Sequence, residues 1–214
     1  MRICFLSVFV LLMMSSCNNN GKSGQTFCDT TCNNDTIKFE GNSAFEQKLK
    51  IGMKNCLPDT VSWTHRKALN ERKIQLTEFL NKNLKINRKA VDAAFQDTSF
   101  VWLSFNDCVT GRGYLLKLPY SQGQTQKISG ALNSFDHKFS VDPDLRAYTD
   151  RGNIYVVNVT NGKEAQMTFR EEYKDIDFDD IHKVVDTINV TKQRIFVRLL
   201  KNGKEVPFEK NIEL

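Results

Sequence analysis

Cysteines, a run of alternating aspartates and a few histidines are the residues in this chain best suited to chemistry. Cys4 lies inside an N-terminal segment in which Arg2 precedes an almost unbroken apolar run, Ile3 to Met14, followed by Ser15-Ser16-Cys17. That order of positive charge, short apolar segment and small residues is a secretory signal. Roughly twelve apolar residues are too few to cross a hydrocarbon core, which needs about twenty. An exported chain meets an oxidising compartment, so Cys28, Cys32, Cys56 and Cys108 are expected in disulfides, with three pairings open to them. The expected pairing is Cys28–Cys32 near the N-terminus and Cys56–Cys108 within the folded body. The second would close a loop of about fifty residues, worth roughly 4 kcal/mol in the chain-entropy model. Cys28-x3-Cys32 lacks a matching second pair, and His65, His137 and His182 show no ligand spacing, so no zinc site is expected.

Asp175, Asp177, Asp179 and Asp186 fall at positions one, three, five and twelve of an EF-hand-like calcium loop. Position six should be glycine for its sharp turn and is Asp180, while Ile176 and Phe178 alternate as strand residues do. A turn or short strand with one acidic face fits better, as does a cap for a helix over 179–185. No metal or other cofactor is therefore expected. No Gly-x-Ser-x-Gly elbow is present. Gly111-Arg112-Gly113 lacks the later glycine and the helix start of a dinucleotide fingerprint. Cys108 beside Asp107 has no histidine near it in sequence, so a disulfide is its expected use. An enzyme would have to draw on scattered groups such as Asp107, His137 and Asp150. Trp63, Trp102, Tyr114, Tyr120, Tyr148 and Tyr155 suit a ligand site, though packing is their commoner use.

Small residues followed directly by Cys17 resemble a bacterial lipobox, in which the cysteine thiol is acylated and becomes the new N-terminus. The resemblance implies a signal peptide over 1–16 and a membrane anchor at Cys17. Asn18-Asn19-Asn20-Gly21-Lys22-Ser23-Gly24 then reads as a flexible polar tether within 17–42. Lipid attachment adds about 0.8 kcal/mol per buried CH₂, so several acyl chains hold a protein at the membrane. Position 18 is not Asp, and no acidic run follows Cys17, so the expected address is the periplasmic face of the outer membrane. Without residues 1–16 the chain has 198 residues, enough for one domain. The formal charge is +5 over the whole chain. Basic residues cluster at Arg66-Lys67, Arg72-Lys73, Lys82, Lys85 and Arg88-Lys89, where a solvated face or contact with anionic headgroups is expected rather than nucleic acid.

The elements expected to position these groups differ between the two halves. Ser43-Ala44-Phe45-Glu46 has the form of a capping box and predicts a helix over 44–56, ended by Leu57-Pro58. A second helix is expected over 62–83, with Leu69, Leu76, Phe79, Leu80 and Leu84 at helical spacing. Asn87 is a candidate cap for a third, with Val91, Ala94 and Phe95 on one face. After residue 98 the period changes. Ser99–Phe105 is aromatic and β-branched and reads as a buried strand. Tyr114–Leu118, Asn153–Val159 and Ile195–Leu200 each follow a short polar turn, and Gly123, Gly162 and Gly203 lie 39 and 41 residues apart. A period near forty is that of a four-stranded propeller blade.

The segment Phe139-Ser140-Val141-Asp142-Pro143-Asp144 through Asp150-Arg151-Gly152-Asn153-Ile154-Tyr155-Val156 resembles a TolB-type propeller blade. About 115 residues after Ser99 allow three blades at most, and closed propellers usually need four or more. The expected architecture is therefore α+β: N-terminal helices over 43–98 packed on an antiparallel β-meander over 99–214. That meander is an incomplete propeller, a twisted sheet or an open barrel. Ile154, Val156 and Asn158 face one way and Tyr155, Val157 and Val159 the other, so both faces need cover. The expected function is a non-catalytic, lipid-anchored interaction module for an envelope protein or cell-wall material. The alternative is an inhibitor or immunity protein against a secreted toxin or hydrolase, since a preorganised surface lowers the ordering cost of tight binding.

Overall fold

The computed structural model describes residues 32, 34–68, 70–169 and 184–214. Fifteen strands and one short helix run through them in three sheets. The expected α+β architecture is therefore overturned. The first sheet is a meander of β1 (Ile37–Glu40), β2 (Lys48–Lys54), β3 (Leu57–Thr64) and β4 (Arg72–Gln75). The five-residue α1 (Leu76–Leu80) follows. The central sheet has the order β12-β11-β10-β8-β7-β6-β5. Its strands are β5 (Ile86–Gln96), β6 (Phe100–Asp107), β7 (Gly113–Pro119), β8 (Lys127–Leu132), β10 (Leu145–Asp150), β11 (Asn153–Asn158) and β12 (Glu164–Thr168). The third sheet is β15 (Lys204–Asn211), β14 (Arg194–Lys201), β13 (Val185–Val190) and β9 (Phe139–Val141). Its β9–β13 pairing is parallel, whereas the other ladders are antiparallel.

The three helices expected in the first half fail for identifiable reasons. Lys48-Leu49-Lys50-Ile51 alternates with period two, and Leu49 and Ile51 are fully buried while both lysines face solvent. Thr60 to Thr64 repeats this with β-branched residues, burying Val61 and Trp63. Ser43–Glu46 forms a turn in which Glu46 takes a positive φ of 47°. The local cap there is Asn42, whose Oδ1 accepts from Ala44 N at 2.8 Å. The helical stripe is real only over α1, which ends at Asn81 in the left-handed conformation. Asn87 begins no helix. Its Oδ1 accepts from Lys89 N within an irregular stretch of β5, after which Val91 pairs with Phe105.

The first and third sheets cover the same face of the central sheet, side by side. Leu49, Val61, Trp63 and Leu76 pack there with Val101, Leu103, Phe105, Leu116 and Leu118. Ile188, Val190, Ile195, Val197 and Leu199 pack with Leu132, Leu145, Ile154 and Val156. Each fully buried aliphatic or aromatic side chain contributes about 1.5–3 kcal/mol. The opposite face holds a smaller cluster of Trp102, Leu115, Ala131 and Val157, flanked by Ala94, Phe100, Tyr148 and Val159. That face is concave. The rings of Trp102 on β6 and Tyr148 on β10 have centroids 6.2 Å apart, although β7 and β8 lie between them. A flat sheet would hold those strands about 14 Å apart.

The disulfide framework also differs from expectation. Cys32 is bonded to Cys56, whose N–H also donates to Asn34 Oδ1 at 2.9 Å. Neither Cys28–Cys32 nor Cys56–Cys108 is the pairing. Cys108 is a buried thiol in the β6–β7 turn. Asn34 and the bridge together fasten the start of the described chain to the β2–β3 hairpin. Cys17 and Cys28 lie outside the described residues. Of the three segments spaced by about forty residues, β7 and β11 share the central sheet and β14 lies in the third.

Candidate functional site

β8 and β10 pair only over Gly130–Leu132 and Ala147–Thr149. Beyond Leu132 the chain leaves the central sheet, contributes β9 to the third sheet, and returns through Asp142–Asp144 to β10. The two strands therefore part, and a cavity of about 470 Å³ opens between them. Its apolar walls are Leu115, Leu132, Phe135, Val141, Leu145 and Ala147, and the polar residues that line it include Asp92, Ser104, Asn133 and Arg146, with Ser134 and Asp142 in the loops beside them.

Curvature brings those polar groups together. Arg146 Nη2 donates to Asp92 Oδ2, joining β10 to β5 across the concave face. Arg146 Nη1 donates to the carbonyls of Pro143 and Leu145, both at 2.9 Å, which fixes the returning turn. Its Nε–H is buried and has no hydrogen-bond partner among the described residues. An orphaned buried donor of this kind is costly, and a ligand acceptor can satisfy it. Asp92 is half exposed and offers a further carboxylate oxygen.

Asn133 organises the floor. Its Nδ2 donates to Ser104 Oγ at 3.1 Å and to Asn106 Oδ1 at 2.7 Å, while its Oδ1 accepts from Phe135 N. Ser104 and Asn106 are both buried. Ser134 Oγ accepts from Val141 N at 3.0 Å and donates to Val141 O, so the loop leaving the sheet is stapled to the strand it enters. Next to this floor the concave face carries an aromatic row. Phe100 meets Trp102 edge-on at 5.4 Å, and Tyr148 stacks on Tyr155 at 5.3 Å. Lys117 Nζ lies 4.0 Å from the Phe100 ring centroid. Burial lowers the Lys117 pKa, Glu164 opposes that shift and Lys127 adds to it. Burial pushes the Tyr148 phenol up to about 12, with Glu164, Tyr155 and Asp150 acting in the same direction.

The residues expected to carry chemistry are not gathered. Asp107 is a buried turn staple: its carboxylate accepts from Lys85 N, Thr110 N and Thr110 Oγ1. Asp150 lies beside the other end of β8 from the loop that holds His137. Asp186 is held by Arg198, with Nη2 at 2.8 Å, and Asp175, Asp177 and Asp179 lie outside the described residues. Among the described residues no cluster of three or more His, Cys, Asp or Glu side chains is placed to hold a metal. Among them, too, no helix is long and apolar enough to cross a membrane. Asp92, Ser104, Asn133 and Arg146 carry no motif. The one local signal is polar residues at positions that alternate with core residues, as in Leu145-Arg146-Ala147 and Leu103-Ser104-Phe105.

No protein-family model, curated protein or solved structure matches this chain.

Proposed function

We propose that this protein is a non-catalytic binding module of the bacterial envelope, anchored by lipid on Cys17 and facing the periplasm. In this reading the β8–β10 cavity captures a neutral, hydroxyl-bearing ligand such as a saccharide unit of the cell wall. One observation carries it. The cavity combines apolar walls with polar groups already fixed by one another, leaving a carboxylate oxygen of Asp92 and the buried Arg146 Nε–H to serve a ligand. Such a pocket accepts a ligand face through its walls and orients hydroxyls through a few preset partners. Fixed partners keep the ordering cost of binding small.

The test has two parts. Labelling cells with a radioactive fatty acid should mark the wild-type chain and not Cys17→Ser. Calorimetric titration of the full chain carrying Cys17→Ser with cell-wall muropeptides should give saturable binding, weakened about tenfold or more by Asp92→Ala, since a charge-assisted hydrogen bond contributes about 1.5–3 kcal/mol. Saturable binding that Asp92→Ala leaves unchanged would remove the cavity from the reading.

A further inference from the structure

The concave face of the central sheet continues past the cavity in one direction. Residues i and i+2 of a strand share a face and lie about 6.5–7 Å apart. Two positions on from the cavity residues Asp92, Ser104, Leu115 and Arg146 stand Ala94, Trp102, Lys117 and Tyr148. The antiparallel ladders point all four steps the same way. Tyr155 follows as the β11 register partner of Tyr148.

A row of rings occupies this second level. Trp102 is buried with Leu115, Ala131 and Val157, while Phe100, Tyr148 and Tyr155 are half-buried. The residues of that cluster come from the central sheet, with Val159 directly after β11, and among the described residues none from the other two sheets packs in it. Lys117 Nζ lies 5.1 Å from the Trp102 centroid and 4.0 Å from that of Phe100, which screens that end of the row. Tyr155 is the open end. One of its ring faces lies on Tyr148, and its register neighbour on the other side is the exposed Gln166. Cross-strand stacking explains why Tyr148 and Tyr155 pair. It does not explain why an uncovered row of rings adjoins a polar cavity.

We propose that this row is a second saccharide subsite, so that the protein binds a glycan chain with one unit in the cavity and the next on Tyr148 and Tyr155. The inference rests on the reading of the cavity as a saccharide site. A sugar ring has apolar C–H faces and a rim of hydroxyls, which suits an aromatic strip with a phenol tip on each tyrosine. The step of about 6.5–7 Å from Arg146 to Tyr148 is on the scale of one sugar ring. Burial raises the Tyr148 pKa, so its phenol keeps a proton at neutral pH and can donate to a sugar oxygen. Rings already held by one another lose little freedom when a ligand settles on them.

The full chain carrying Cys17→Ser is titrated calorimetrically with muropeptides of one stem peptide that carry one, two or four sugar units. Variants are Tyr155→Ala, Tyr155→Leu, which keeps an apolar strand residue, and Phe196→Ala on β14 of the third sheet as control. Binding should tighten at least tenfold from one unit to two. Tyr155→Ala and Tyr155→Leu should cut that gain at least fivefold and leave the one-unit affinity within twofold, while Phe196→Ala changes neither. Equal affinity at every length, or a gain that both variants retain, overturns the second subsite and leaves the cavity reading intact. Weakening of all lengths alike shows that Tyr155 acts through the fold or the cavity, and overturns it too. Absence of saturable binding to any muropeptide removes both readings. Thermal melts of each variant separate loss of binding from loss of fold.

Discussion

Asn133→Ala should be among the most damaging single changes at the cavity, although Asn133 itself is only half buried. The amide donates to two buried acceptors, Asn106 Oδ1 at 2.7 Å and Ser104 Oγ at 3.1 Å. Truncation leaves Asn106 Oδ1, on a residue 1% exposed, without that donor. A buried acceptor stripped of its partner costs about 1–3 kcal/mol, and the lost hydroxyl bond adds about 1 kcal/mol. The sum is about 2–4 kcal/mol if no water replaces the amide, and about 1 kcal/mol if the cavity admits one. For a chain of this size each kcal/mol moves Tm by about 2–4 °C, so a loss of about 3 kcal/mol appears as roughly 6–12 °C. Urea unfolding at constant m and thermal melting give the two readouts. Asn161→Ala is the comparison, because Asn161 Oδ1 accepts a single backbone N–H in an exposed turn. A double-mutant cycle with Asn106→Ala should show a coupling of about 1 kcal/mol or more. Strict additivity, or a loss no larger than that of Asn161→Ala, would refute the account of Asn133 as the organiser of the floor.

Reducing the Cys32–Cys56 bridge should lower unfolding free energy by about 3.5 kcal/mol, the chain-entropy value for a loop of about 25 residues, read from urea curves with and without reductant. Arg72→Lys should cost about 2 kcal/mol and shift the emission of Trp63. The guanidinium donates to Pro119 O at 2.8 Å, Ser121 O and Gln124 O at 3.0 Å while lying over the indole, a spread that an ammonium cannot reproduce. At Asp186, burial raises the pKa, but hydrogen bonds from Thr187 and Arg198 with the charge of Arg198 outweigh it and hold the carboxyl below its ordinary value. A depressed folded pKa gives stability that is present above the unfolded value of about 3.9 and lost as pH falls through the folded one. Asp186→Asn should therefore lower the urea midpoint at pH 6, with the gap to wild type closing by about pH 2.5; a gap unchanged over that range would refute the linkage. Gly113→Ala should destabilise by about 1–3 kcal/mol or more, because an added Cβ would lie 2.3 Å from the backbone oxygen of Ala131. A melting temperature equal to wild type would show that β7 and β8 can separate there at no cost.

Part of this fold was legible in the sequence, and the boundary has a physical cause. Ser99–Phe105, Tyr114–Leu118, Asn153–Val159 and Ile195–Leu200 read as strands, and β6, β7, β11 and β14 run through them. β-branched and aromatic residues dominate Ser99–Phe105 and Asn153–Val159, while Tyr114–Leu118 and Ile195–Leu200 are short apolar runs with one basic residue each. The first half misled because two periods coexist there. Leu76, Phe79 and Leu80 are a true helical triplet, but it spans only about one turn and a half and follows directly on the strand residues of β4. Lys48-Leu49-Lys50-Ile51 held the period-two signal, masked by a serine and glutamate spaced like a capping box. In β5 the irregular stretch after Ile86 broke the alternation, so Val91, Ala94 and Phe95 mimicked one helical face. In the structure Val91 and Phe95 face the large core and Ala94 the concave cluster. The cavity was not legible at all, since Asp92 and Arg146 are 54 residues apart and meet through sheet curvature, which no local period encodes.

The two faces of the central sheet are filled differently. Val101, Leu103, Phe105, Leu116 and Leu118 crowd the convex side of β6 and β7. The concave side is lined in the same region by Ala94, Ser104, Gly113 and Ala131 along with Trp102 and Leu115. Small residues at Ala94, Ser104, Gly113 and Ala131 leave room for the sheet to coil there until the larger rings of Trp102 and Tyr148 approach one another. Gly113 and Ala131 mark the tightest approach, where a Cβ finds no room. Laid flat, β5 and β10 would stand about 19 Å apart, beyond the reach of an arginine to an aspartate. The Asp92–Arg146 pair therefore exists only in the coiled sheet, and it in turn ties the two strands that coiling brings together. In the proposed reading, Asp92 and Arg146 serve both the ligand and the resistance of the sheet to flattening, so a ligand bound there should also stabilise the curl.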